Sequence, residues 1–262
     1  MASAPQQSQL PLFYNALEPL SSEAHANFKI RGQDSAPFLV NQHAIPITVD
    51  EFTLVQRHMP IVFTVGDNPV PLALMGLNEG VNVFVGDDGR LTDENVYIPA
   101  YIRRYPYMLA KLHPAAEDLS LCFDPTSGAL GAFDDGEPMF VDGKPTEIVN
   151  NILNFSQSFE EAGARTANFM ADLKEMDLLH DGEITIQADG AAQPFVYRGF
   201  MMINEDKLKE LRGDQLRKIH RNGMLPLLYA HQFSLLLMRE IFAKQMLLGK
   251  VPVQEPMPQS FV

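Results

Sequence analysis

One stripe of side chains constrains this chain more than any other feature. Ile148, Ile152, Phe155, Phe159, Ala162, Thr166, Phe169, Leu173 and Met176 alternate in steps of four and three over four repeats. That spacing keeps them on one face of an α-helix, whereas a strand would divide them between two faces. Thr146 is a candidate cap and His180-Asp181-Gly182 a candidate stop, so the spacing predicts one amphipathic helix over 147–179. Polar residues fill the opposite face. The stripe has to be covered, either by a sheet or the last helix of the same chain, or by a second copy in a homodimer seam.

The residues before the stripe read differently. From Phe28 to Gly143 short β-branched and aromatic runs (61–65, 71–77, 81–85, 119–123, 139–141) alternate with Gly, Asp, Asn and Pro, as in Gly66-Asp67-Asn68-Pro69. Asp50 is placed to cap a short helix reaching His58. After the stripe, 183–187 and 195–203 form an expected hairpin around Asp189-Gly190. Asn204 caps an expected helix bearing Leu208, Leu211, Leu216 and Ile219, ending near Asn222-Gly223. Pro226 opens a last helix to Leu248 that is apolar nearly all round, a pattern of central burial or of a sandwich between partners. The fold class is therefore α+β: an antiparallel, β-rich N-terminal part, a long amphipathic helix, a β-hairpin and a buried C-terminal helix. The expected organisation is a disordered lead at 1–11, one α+β domain at 12–250 (β-rich over 12–145, mainly helical over 146–250) and an extended, Pro-rich tail at 251–262.

Charge narrows the partners. The formal net charge is −13, and all of it lies in residues 117–189, with 16 acids against 3 bases. Such a chain repels nucleic acid, whose binding depends on neutralising phosphates. The acidic span is a solvated face or a docking surface for a basic protein. No window is long and apolar enough for a membrane span. The start, 1–9, has no basic and apolar signal pattern, and Cys122 is the one cysteine, which together point to the cytoplasm, with export by an unrecognised signal left open.

Against that acidity, no Asp or Glu occurs from Asn95 to Ala116, and four of the seven tyrosines (Tyr97, Tyr101, Tyr105, Tyr107) fall there beside Arg103, Arg104 and Lys111. Tyrosine offers a large ring with a polar tip, and arginine a planar donor fork that stacks on rings and grips oxyanions. Pro99 suits the first position of a helical turn carrying Tyr101 to Arg104, and Pro106 breaks helical geometry at Tyr105. On such a turn Arg103 and Arg104 point about 100° apart, Arg104 on the face of Tyr101 and Tyr105. Structural anchoring and capture of an anion both remain open for this segment.

Catalytic signatures are missing: no glycine loop for phosphates, no nucleophile-elbow serine, no paired-histidine zinc helix. No metal is expected, because the histidines lack ligand spacing and the acids Asp134, Asp135, Glu137 and Asp142 lack the order of a calcium loop. No cofactor is expected either. Cys122 reads as a buried structural thiol. His231 falls on the expected buried helix, where it is a hydrogen-bonded core residue or part of a pocket.

The run Pro99-Ala100-Tyr101-Ile102-Arg103-Arg104-Tyr105-Pro106 resembles the hallmark of the SapC family of bacterial proteins. So do Phe13-Tyr14, His25, Pro46, Glu51-Phe52, Pro60-Ile61-Val62-Phe63, Gly76-Leu77 and Asn82-Val83-Phe84-Val85. Further on, Gly199-Phe200, Asn204-Glu205-Asp206-Lys207-Leu208 and Gly223-Met224-Leu225-Pro226-Leu227-Leu228-Tyr229-Ala230-His231 continue the likeness over about 12–245. Lys207 and Met201-Met202 depart from the pattern. The resemblance implies a link to bacterial surface layers and to gene clusters for nutrient uptake, and no established catalysis. It implies an accessory in uptake or modification of a peptide or glycan.

These observations lead to a non-enzymatic binding or accessory protein as the first reading. Its ligand is an anionic small molecule or peptide, met by Tyr101, Arg103, Arg104, Tyr105, Tyr107 and His231. Two alternatives stay open: an enzyme acting on a carboxylate or phosphate with His231 as base, and a self-assembling structural protein.

Overall fold

Ile61, Val62 and Phe63 are almost wholly buried and form the middle strand of a five-stranded antiparallel sheet. A run that is apolar at every position suits a strand covered on both faces. The computed structural model describes residues 10–113, 115–116, 118–188 and 193–251. They divide into two compact units, one made of the residues up to 34 with 100–165, the other of 35–99 with the residues from 166 on. Each unit draws on both the β-rich and the helical half of the sequence. Residues 1–9 of the expected lead, 252–262 of the tail and the Asp189-Gly190 turn lie outside the described residues.

The unit containing 35–99 is built on that sheet, in the order Leu179–Asp181, Met201–Ile203, Ile61–Phe63, Pro71–Leu74, Ala44–Pro46. Val62 faces Leu72 and Ile61 faces Ala73 across the hairpin, whose turn contains Gly66 at φ +112°. Ile184–Ile186 pairs separately with Phe195–Tyr197. The core joins Val62, Leu74, Tyr197, Phe200, Met238 and Phe242. Phe169 meets Phe52 and Phe63 ring to ring, with centroids 5.7 and 6.4 Å apart.

Several expectations shift here for local reasons. Residues 81–85 make no strand beyond a single bridge from Val85 to Leu91. The buried Asn82 side chain takes over the backbone instead: its carbonyl accepts from the Phe84 and Val85 amides, and its amide donates to the Leu39 carbonyl. A side chain that satisfies the main chain removes the drive to pair in a ladder. A 3₁₀ turn, Val49–Glu51, leads into the helix Phe52–Val55, so Asp50 lies inside that turn and the N-cap is Thr48, with the Glu51 carboxylate accepting from the Thr48 amide and hydroxyl. The expected 195–203 strand is two, Phe195–Tyr197 and Met201–Ile203, parted by Gly199 at φ +90°.

Asn204 does cap a helix, accepting from the amides of Asp206 and Lys207. That helix stops at Lys209, and Gly213–Arg221 starts afresh behind Arg212. The last helical stretch is Met224–Ser234, a 3₁₀ turn Leu235–Leu237, and Met238–Leu247. One side is buried through Leu228, His231, Ser234, Met238 and Ile241. The other leaves Phe233 at 62% and Leu236 at 76% exposed, so burial does not extend round the helix.

The other unit holds small antiparallel sheets. Ser120–Phe123 lies between Glu18–Pro19 and Tyr107–Ala110, and Lys29–Ile30 between Leu130–Gly131 and Glu137–Pro138. Phe140–Val141 turns back on Lys144–Pro145 through Asp142 and Gly143, both at positive φ, as a tight hairpin requires. Tyr107, Phe123, Leu130, Met139 and Val149 make its core, with Ile148 and Ile152 packed against it.

The long helix is Glu147–Glu175. Its stripe is used within the chain: Ile148 and Ile152 as above, Thr166 accepting from the Val49 amide, Phe169 on Phe52, and Leu173 fully buried. It ends earlier than 179 because Asp177 takes a left-handed φ of +51°, and Leu179–Asp181 then enters the sheet against Met201–Ile203.

Candidate functional site

The cationic, tyrosine-rich segment folds as a short helix, Ala100–Arg104, a cis Tyr105-Pro106 peptide, and the strand Tyr107–Ala110. Tyr101 and Arg104 point into their unit, and Arg103 is exposed. This is the separation expected of adjacent helical residues.

Arg104 sits in a cage of rings. Its guanidinium carbon lies 4.5 Å from the Tyr101 ring centre, 4.4 Å from that of Phe159 and 5.9 Å from that of Tyr14. The side chain is 7% exposed. Its carboxylate neighbour, Glu160, stands 3.8 Å from Nη1, too far for a hydrogen bond. Arg104 Nε is buried with no hydrogen-bond partner among the described residues. Arginine carries five donors, and burial normally demands that they be satisfied. The cage therefore orients this cation by its faces and leaves donor capacity unspent.

Tyrosines complete the surround. Tyr101 donates to the Leu12 carbonyl at 3.2 Å, and Tyr14 to the Tyr107 carbonyl at 2.7 Å. Phe13 meets Tyr101 and Tyr105 edge to face at 5.6 and 6.0 Å, and Tyr14 meets Tyr105 at 5.3 Å. Phe13 does so from a φ of +82°, a conformation rare for an aromatic residue and one that persists only when its surroundings enforce it. The Tyr107 hydroxyl is buried and unpartnered among the described residues. Burial pushes the phenols of Tyr14, Tyr107 and Tyr105 above their ordinary range, against the pull of the Arg104 guanidinium at Tyr14 and with help from the Asp124 carboxylate at Tyr105. All three remain donors at neutral pH.

The structure thus gathers Tyr101, Arg104, Tyr105 and Tyr107 in one unit and turns Arg103 to the Phe155 ring at 5.2 Å. Tyr97 belongs to the other unit and donates to Glu51 at 3.0 Å. His231 also lies in that other unit, fully buried, with both ring nitrogens engaged. Nδ1–H donates to the Ile61 carbonyl at 2.8 Å, and Nε2 accepts from the Ile203 amide at 3.2 Å. Burial lowers its pKa to about 4. Cys122 is buried, and its thiol is pushed up by desolvation. Among the described residues no group of three or more His, Cys, Asp or Glu is placed to hold a metal, and no helix is long and apolar enough to cross a membrane.

The sequence reading left Phe13, Tyr14, Phe159 and Glu160 out of the site. Phe159 was legible as a stripe residue, but nothing in the spacing indicated that it would cover Arg104.

The candidate site is thus an arginine caged by the rings of Tyr14, Tyr101 and Phe159 within an α+β fold. The sequence profile of the SapC family matches residues 20–241, and the chain belongs to that family. Comparison with curated proteins and with solved structures found no match.

Proposed function

We propose that this protein is a non-enzymatic binding or accessory protein of a bacterial surface-layer or nutrient-uptake system. It holds a carboxylate-bearing small molecule or peptide at Arg104, bordered by Tyr101, Arg103, Tyr105 and Tyr107. The observation that carries this reading is the unspent donor capacity of Arg104. A buried guanidinium whose carboxylate neighbour is 3.8 Å off, and whose Nε is unpaired among the described residues, is better completed by an incoming oxyanion than by its own fold. Glu160 is 46% exposed, so it can give way. The rings hold the fork in place before the ligand arrives, which reduces the ordering cost of binding. A reducing compartment, the cytoplasm, suits the lone buried thiol of Cys122. The exposed acids Asp134, Glu137, Asp142 and Glu147 offer a complementary face to a basic partner.

Calorimetry with short mono- and dicarboxylates, with inorganic phosphate as comparison, tests the site. Arg104→Lys keeps the charge and removes the fork, so binding should fall about tenfold or more. Equal affinity in the folded wild type and variant would overturn the proposal.

A further inference from the structure

The unit containing the five-stranded sheet carries a pocket of about 270 Å³ that the proposal for Arg104 does not use. It opens over one face of the Ile61–Phe63 and Pro71–Leu74 hairpin and is walled by residues 197–200 and by Met238. At about 30 Å³ per water it has the capacity of about nine waters, enough for one ring or a short aliphatic chain and too little for a polymer. Its lining is mostly apolar, with Val62, Leu72, Leu74, Phe200 and Met238 on the walls.

Four polar side chains break that apolar lining: His43, Thr64, Tyr197 and Arg198. Tyr197 lines the pocket at 9% exposure, and its hydroxyl is buried without a hydrogen-bond partner among the described residues. Burial raises its pKa, so it remains a donor. A phenol hydrogen turns towards whichever acceptor enters. Arg198, the next residue, is exposed and bonded by Nε at 2.7 Å to Glu183, itself half exposed. An ion pair this wet is weak and exchanges readily. A concave, mostly apolar pocket with few polar groups, one of them unsatisfied among the described residues, is how small-molecule sites are built.

We propose that this pocket binds a small monocarboxylic acid with an aryl or short alkyl body. The body rests on Val62, Leu72 and Phe200, a ligand oxygen accepts from the Tyr197 hydroxyl, and Arg198 faces the carboxylate.

The test is an amide-shift NMR titration with 3-phenylpropionate and its uncharged amide, 3-phenylpropanamide. Both should shift the amides of Phe63, Leu72 and Phe200. Tyr197→Phe removes one oxygen from the side chain and should weaken both ligands about five- to tenfold. Arg198→Gln, on the surface, should weaken the acid about fivefold and leave the amide unchanged. Arg104→Lys should leave both titrations as in the wild type, which separates this site from the one proposed above. No shifts at these residues at about 5 mM ligand, or the same affinity in Tyr197→Phe as in the wild type, would overturn the assignment.

Discussion

His231 donates from Nδ1 to the carbonyl of Ile61 across 2.8 Å, tying the last helical stretch to the middle strand of the sheet. The carbonyl cannot donate, so the ring is fixed in its Nδ1–H tautomer and Nε2 is left to accept from Ile203. Protonating Nε2 would destroy that second bond and place a charge in the core.

Stability should therefore fall as pH falls. The folded pKa of His231 is about 4, below the ordinary 6.5, so the unfolded chain takes up the proton first. The contribution is fully present above about pH 6.5 and is lost progressively down to about pH 4, on the order of 3 kcal/mol in all. Urea unfolding at pH 7, 6 and 5 should show that slope in the wild type. His231→Gln should be less stable at pH 7 and flatter below it. Parallel pH profiles for the two proteins would contradict this account.

Arg104→Met should be neutral or stabilising by about 1–2 kcal/mol, because an incompletely paired buried cation is replaced by an apolar chain of similar length among rings. Denaturant titration reads this directly. A loss of more than about 3 kcal/mol would mark Arg104 as an anchor of its unit instead of a binding group.

Asn82→Ala should cost about 2–4 kcal/mol. Asn82 is fully buried, and its removal leaves the Phe84 and Val85 amides and the Leu39 carbonyl without that partner. A cost below about 1 kcal/mol would mean that 81–85 re-forms a ladder by itself.

Gly76→Ala should destabilise by about 3 kcal/mol or more. A Cβ there would lie 1.9 Å from the Val81 carbonyl oxygen, a backbone atom on a segment held by the Val83 amide bonding to Met75. A drop in thermal midpoint, with the fold retained by circular dichroism, is the expected result.

Much of the architecture was legible. The stripe from Ile148 to Met176 announced the helix, and the runs at 61–65 and 71–77 announced strands that the structure shortens to Ile61–Phe63 and Pro71–Leu74. Asn204 was readable as a cap because capping acts within three residues. The run at 81–85 was misleading. Its β-branched pattern is that of a strand, yet the Asn82 amide bonds Leu39, 43 residues away.

What the sequence determined alone was local: which segments coil or extend, where the negative charge collects, and that Arg103 and Arg104 face apart. Those properties depend on neighbours a few residues off, so spacing encodes them. Only the tertiary structure decided that Phe159 would stack against Arg104, that the Tyr197 hydroxyl would find no partner among the described residues, and that Phe233 and Leu236 would stay exposed. Each of these depends on which distant surfaces meet, and burial is a property of the meeting surfaces that no single segment carries in its own pattern.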